Sequence, residues 1–143
     1  MRSARYPASM TLDGGCACGE IRYRLEGELR NTGYCHCRLC QRTSGAPVMV
    51  FGTISRADVA LTGEPRTYRS SSFGERWSCG TCGTQLAMRA DASPDELDLS
   101  IATLDDPTAA VPRFHIWISS RISWFDAKDD LPRHAENRPE GEP

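Results

Sequence analysis

No stretch of this chain approaches the roughly 20 uncharged apolar residues that a helix needs to cross a bilayer, and a mean hydropathy of -0.47 fits a chain that stays in water. Membrane insertion is not expected. The first ten residues carry Arg2, Arg5 and Pro7 where a secretory signal has its apolar run, so a reducing, cytoplasmic setting is expected. A basic excess is missing too: 17 Lys and Arg stand against 19 Asp and Glu, a net charge of -2. Such a balance argues against bulk nucleic-acid binding as the chain's task. No internal repeat and no helix longer than two or three turns is signalled. The 143 residues suffice for one domain and are too few for two independent cores.

Nor is there a spare cysteine. All seven fall into three clusters, Cys16-x-Cys18, Cys35-His36-Cys37-x-x-Cys40 and Cys79-x-x-Cys82. Their odd number and sparse distribution argue against a disulfide framework, and their spacing argues for metal. The most economical partition is four ligands plus three. Seven thiolates around two divalent ions would carry the chain to a net charge of about -5.

What surrounds the clusters reads as mainly β. Ile21 to Leu25 alternates apolar and charged residues at period two, as does Leu97 to Ile101. Further strands are expected at Val48–Phe51, Asp58–Thr62, Thr67–Arg69 and Gln85–Arg89, separated by Gly and Pro turns such as Thr62-Gly63-Glu64-Pro65. Phe114–Ile118 is apolar enough for the core, and Arg121–Phe125 fits a strand or a short helix equally well. These features divide the chain into an N-terminal lead (1–10), a domain (11–126) and a flexible, charged, proline-bearing tail (127–143).

Side chains alternate along an extended backbone, so Cys16 and Cys18 point the same way, and a Cys79-x-x-Cys82 knuckle turns two sulfurs inward. Together they make a ribbon-type structural zinc site, with iron or a redox dithiol as alternatives. The amides of Gly19, Gly80 or Gly83 are candidate donors to the thiolates. In the middle cluster Cys35, Cys37 and Cys40 can face one point, with His36 turned away as packing or outer support. Three protein ligands leave a zinc position for water or a substrate thiolate. A fourth ligand from His115, His134, Asp105, Asp106 or another chain would close the site instead, and reversible disulfides without metal are a further alternative. Arg38 and Arg42 flank this cluster and could meet a substrate carboxylate or simply form a solvated turn. Trp77, Trp117 and Trp124, with His115, are expected in the core.

GGCACGEIRY, CHCRLCQRTSG, SCGTCGTQL, IATLDDP and HIW together resemble the glutathione-dependent formaldehyde-activating enzyme family, which includes the centromere protein V relatives. The resemblance runs from about Gly14 to Trp124. It implies a single β-tent domain of packed antiparallel sheets with two zinc ions. Cys16, Cys18, Cys79 and Cys82 would hold a structural zinc, and Cys35, Cys37 and Cys40 a catalytic one. The implied activity is carbon-sulfur lyase chemistry that joins glutathione and formaldehyde to S-hydroxymethylglutathione, and the reverse. A noncatalytic zinc-binding interaction module, as the chromatin-associated relatives suggest, or a thiol carrier and redox sensor, is the alternative. A homo-oligomer is compatible with either.

Overall fold

A computed structural model describes residues 11–139; the expected lead 1–10 and the last four residues lie outside that range. Ten strands and one short helix follow one another as β1 (Leu12–Gly15), β2 (Arg22–Leu25), β3 (Arg30–Cys35), α1 (Arg38–Ser44), β4 (Met49–Ser55), β5 (Val59–Thr62), β6 (Arg66–Ser71), β7 (Gly74–Ser78), β8 (Gln85–Ala90), β9 (Glu96–Ser100) and β10 (His115–Ile116). They form a three-stranded sheet, β1-β2-β5, and a seven-stranded sheet, β10-β3-β4-β9-β8-β7-β6. Pairing is antiparallel throughout except between β10 and β3, which run parallel. Among the described residues no helix is long and apolar enough to cross a membrane.

The alternation read from the sequence decides which face of each strand is inside. On β2, Tyr23 and Leu25 are buried while Arg24 is exposed and pairs with Asp13 at 2.9 Å. These apolar residues meet Ile54, Trp77, Ala87, Leu97 and Leu99 of the larger sheet in one core. The opposite face of the large sheet carries a mostly polar row among apolar neighbours such as Met49 and Phe51. Arg30, Thr53, Asp98, Met88, Arg76 and Tyr68 are successive register partners across β3, β4, β9, β8, β7 and β6. Cross-strand partners project from one face, so a single row of mostly polar side chains crosses the sheet on the side away from the core.

Three expectations are met in part or corrected. Of the segment expected in the core, Phe114 and His115 are buried and Ile116, Trp117 and Ile118 half-buried; it contributes a two-residue strand that ends where Trp117 turns left-handed at φ 58°. Arg121–Phe125 is neither strand nor helix; its chain turns, with the Phe125 amide bonded to the Ile122 carbonyl at 3.0 Å. The part of the tail described, 127–139, lies along β10 rather than free of it: the His115, Trp117, Ile118 and Ser119 amides donate to the carbonyls of Pro132, Glu136, His134 and Ala135 at 2.8 to 3.1 Å. A sheet edge rich in unpaired amides favours such cover. Asp129 reinforces it, its carboxylate accepting from the fully buried His115 Nε2 at 3.0 Å.

Two outcomes are expected in denaturant unfolding. Ile54→Ala empties a fully buried position and should cost about 2 to 5 kcal/mol. Asp129→Ala strands a buried ring N–H and should cost about 1 to 3 kcal/mol. Asp129→Asn, which keeps an acceptor, should lose clearly less, and equal losses for the two variants would show that the His115 contact is not what holds the tail.

Candidate functional site

The four-sulfur group is assembled where the two sheets meet. Cys16 follows β1, and Cys79 follows β7; their sulfurs, with those of Cys18 and Cys82, all lie within 4.8 Å of one another. Each knuckle supplies one buried and one exposed cysteine. Gly19 and Gly83 close the two turns at φ 82° and 79°, a left-handed backbone that glycine adopts without strain. Their amides go to the carbonyls of Cys16 and Cys79. The sulfurs are served instead by the Ile21 amide, 3.2 Å from Cys16 Sγ, and the Cys82 amide, 3.5 Å from Cys79 Sγ. Thr84 ties the knuckles together, accepting from the Ala17 amide at 3.0 Å while its hydroxyl meets Cys82 Sγ at 3.2 Å. That hydroxyl, with the Thr84 and Cys18 amides, holds the Cys82 thiol down at about 5.

Zinc–sulfur bonds of about 2.3 Å in a tetrahedron place the sulfurs about 3.8 Å apart. Cys16 to Cys18 at 3.5 Å and Cys18 to Cys79 at 3.8 Å fit that edge length. The donor set is suited to a metal ion such as zinc.

The second group forms where β3 runs into α1. Cys35 ends the strand, and Cys37 serves as the N-cap of the helix, its extended φ and ψ of -63° and 149° letting the sulfur accept from the Cys40 amide at 3.3 Å. A thiol side chain here does what Ser or Asp does at other N-caps. One turn of helix then brings Cys40 back, and the three sulfurs lie within 4.8 Å of one another. Hydrogen bonds from the Cys35 and Cys40 thiols hold the Cys37 thiol well below the usual thiol range, with the charge of Arg76 acting in the same direction. The same contacts, with burial, push Cys35 upward. The trio thus keeps a thiolate ready, the form that binds metal.

Among the described residues no fourth donor joins this trio. His115, His134, Asp105 and Asp106 all stand elsewhere: Asp105 pairs with Arg22, and Asp106 caps the turn at Thr108. His36 points away, its Nε2 2.8 Å from His115 Nδ1, and both rings are fully buried. Since the Asp129 carboxylate can only accept, His115 Nε2 carries the hydrogen, and a neutral His115 then accepts at Nδ1 from His36. Burial, with the adjoining His115, pushes the His36 pKa down to about 4.

A cavity of about 1080 Å³ opens beside the trio. Cys35, Cys37 and Cys40 line it together with the apolar Met49, Phe51 and Phe114 and with the row Thr53, Asp98, Met88 and Arg76. Arg38 lies on its wall, whereas Arg42 faces a separate hollow beside Trp124. Trp77 is core, as expected, but Trp124 is 74% exposed, and Trp117 lines the cavity with its Nε1 donating to Asn137 at 3.0 Å. Two cavity features escaped the sequence reading. Asn137 and Arg138 come from the segment expected to fray. Arg76 is a buried guanidinium whose Nη2 stands 3.5 Å from Cys40 Sγ. Its only signal in the sequence is a charged residue one step out of phase with Trp77 in a strand.

A sequence profile described as glutathione-dependent formaldehyde-activating enzyme matches residues 11–120. A Schizosaccharomyces pombe protein named only as an uncharacterized lyase is 34% identical over 74 residues, which cover 52% of this chain and 54% of that protein. The chain thus spans about half the length of that relative. A Halomonas elongata protein, provisionally named a glutathione-dependent formaldehyde-activating enzyme, is 24% identical over 127 residues, 82% of this chain and 81% of its own. The crystal structure of a Rhodobacter sphaeroides protein superposes with a TM-score of 0.56 at 22% identity, over 70% of this chain and 97% of that one, a likeness of fold. With the profile covering most of the chain and both sulfur groups assembled inside that span, the chain belongs to the glutathione-dependent formaldehyde-activating enzyme family.

Proposed function

We propose that the protein is a zinc-dependent carbon-sulfur lyase acting on a small thiol adduct, of the S-hydroxymethylglutathione synthase type, in the cytoplasm. One observation carries the reading: three sulfurs without a fourth protein donor among the described residues, opening onto a cavity of about 1080 Å³. Cys16, Cys18, Cys79 and Cys82 are read as the structural zinc ligands and Cys35, Cys37 and Cys40 as the catalytic ones. The two-sheet arrangement is read as the β-tent. The four-sulfur group braces the fold, and the three-sulfur group is where substrate arrives.

A zinc ion held by Cys35, Cys37 and Cys40 would supply acidification of an incoming thiol near neutral pH. The chain's own residues do the rest. α1 presents Cys37 and Cys40 on one turn, so that their sulfurs are fixed by backbone geometry and not by long flexible side chains. Met49, Phe51, Met88 and Phe114 line the cavity with apolar surface, which excludes water from a thiolate and an aldehyde that hydrates readily. Arg38 and Arg138, both on the cavity wall, supply cations for the carboxylates of a glutathione-like thiol. Arg138 is held in place by Asn31 at 2.7 Å and by stacking over the Phe114 ring at 4.2 Å.

Native mass spectrometry should find two zinc ions per chain. Cys40→Ala should leave one, keep the fold and abolish acceleration of adduct exchange between formaldehyde and glutathione, by about 100-fold or more. Cys79→Ala, which breaks the bracing group, should cost on the order of 4 kcal/mol or more of stability. A chelator titration followed by metal release should be biphasic, with activity disappearing in the first phase and folded structure in the second. Simultaneous loss of both would contradict the division of labour between the two groups.

A further inference from the structure

Addition of a thiolate to an aldehyde needs two things, a sulfur nucleophile and a donor for the oxygen that becomes negative. The sulfur trio serves the first need. With a thiol held there, the oxygen needs a partner of its own. Three cations line the cavity: Arg38, Arg76 and Arg138. Arg38 is exposed and bonded to Gln41, and Arg138 stacks on Phe114. Arg76 is 6% exposed and is the one of the three bonded to a sulfur of the trio.

Its surroundings are unusual for an arginine. No carboxylate stands within ion-pair distance of it among the described residues. Nη1 reaches the Gln85 amide oxygen at 3.1 Å once that amide is oriented to suit its neighbours, and Nη2 reaches Cys40. Nε–H is buried without a partner. A buried cation without a paired carboxylate is costly unless negative charge reaches it by another route. Asp98, two strands away in the same row, interacts with Arg76 through its charge without forming an ion pair. The nearer routes are the thiolates beside it and whatever anion forms next to them.

We propose that Arg76 is the donor to the aldehyde oxygen in the reaction read above, binding the alkoxide that develops when a thiolate held at Cys35, Cys37 and Cys40 attacks the carbonyl carbon. The inference rests on the lyase reading of this site. In the forward direction the carbon-sulfur bond forms, the carbonyl π pair moves onto oxygen, and the alkoxide takes a proton from water. The thiol's own proton has gone to water, so the step balances without oxidant or reductant. In reverse the hydroxyl proton leaves to water, the carbon-sulfur bond breaks, and its electron pair departs on sulfur as the carbonyl re-forms. Arg76 stays protonated throughout, as guanidinium does, and acts by position and charge alone. Gln85 and Cys40 fix it before substrate arrives, which is what makes such a donor effective.

The test compares wild type, Arg76→Gln and Arg76→Lys in three readouts: zinc per chain, exchange of isotope-labelled formaldehyde with glutathione by NMR, and calorimetric titration of formate into zinc-loaded protein saturated with glutathione. Formate is an aldehyde-sized probe with anionic oxygens. Arg76→Gln should keep two zinc ions, bind glutathione within about threefold of wild type, slow the exchange about 100-fold and weaken formate at least about tenfold. Arg76→Lys should fall between, since an ammonium supplies the charge but not the planar fork; it also carries the test if the Gln variant fails to fold. Unchanged exchange in either variant overturns the inference. So does a fall in glutathione affinity that matches the fall in rate, which assigns Arg76 to the thiol's carboxylate, or zinc lost from the trio, which makes it a counter-charge only. A wild-type protein that does not accelerate exchange overturns the lyase reading, and the inference with it; wild-type activity with an equally active Arg76→Gln overturns the inference alone.

Discussion

Four sulfurs brought together from chain segments about sixty residues apart fix how the two sheets of this protein meet: Cys18 and Cys79 are separated by 61 positions. The small sheet carries only three strands of four residues each, too little to hold a stable face of its own. Clamping its first turn to the end of β7 fixes the register in which Tyr23 and Leu25 meet Trp77, Ala87 and Leu99. A metal ion shared by both knuckles, as proposed above, would convert a weak contact between sheets into a covalent-like link, and the free energy of metal binding would become free energy of folding. The exposure of Cys18 and Cys82 is consistent with this. A bracing site needs no access control, and its outer sulfurs can face water.

The other sulfur group obeys the opposite logic. Its cysteines sit at a strand end and a helix start, on the face of the large sheet that carries the polar row, where a cavity takes the place of core. Cys35 and Cys40 are buried, and Cys37 is half-buried. Low solvation strengthens charge interactions, so what lies near these sulfurs governs their chemistry more than it does at the braced group. Asp98 shares the cavity wall: burial raises its pKa, while the Thr53 hydroxyl, donating to it at 2.7 Å, and the charges of Arg30 and Arg76 act the other way. Among the described residues that line the cavity, the charged and ionisable side chains are these sulfurs, Asp98 and the arginines.

How much of this was legible in the sequence depended on whether the signal was local. The strands around Ile21–Leu25 and Leu97–Ile101 alternate plainly because one side of each faces the core, and both form nearly where expected. β3 gave no such signal. It carries Asn31 at φ 52° and a register shift between Arg30 and Gly33, and Gly33 is pressed against the Phe114 ring. α1 has seven residues and no apolar stripe, and its start is marked by a cysteine that doubles as N-cap and candidate ligand. The sulfur partition was legible because cysteine spacing is itself geometry. Arg76 was not, since its meaning appears only when five neighbouring strands align Tyr68, Met88, Asp98 and Thr53 into one row with it. Trp124 was misread for a related reason: aromatic character predicts burial on average, but the turn after Arg121 points this ring outward.

The tail shows why composition alone misleads. Residues 127–139 are charged and poor in apolar side chains, which argues for disorder when a segment must bury its own surface to fold. This segment does not have to. β10 offers it an edge of unpaired amides, and His115 offers a buried ring N–H that needs an acceptor. Asp129 answers the second demand, and the Leu131 amide and Arg133 steady the carboxylate in turn. The chain of contacts continues inward from Asp129 to His115 and from His115 to His36, the residue between two cysteines of the trio. A polar segment is thereby ordered by backbone amides and one imidazole, and its far end places Asn137 and Arg138 on the cavity wall. Order at the tail and the shape of the cavity are consequently linked in the fold, since the buried histidine pair that anchors the first also backs the loop that carries the sulfurs.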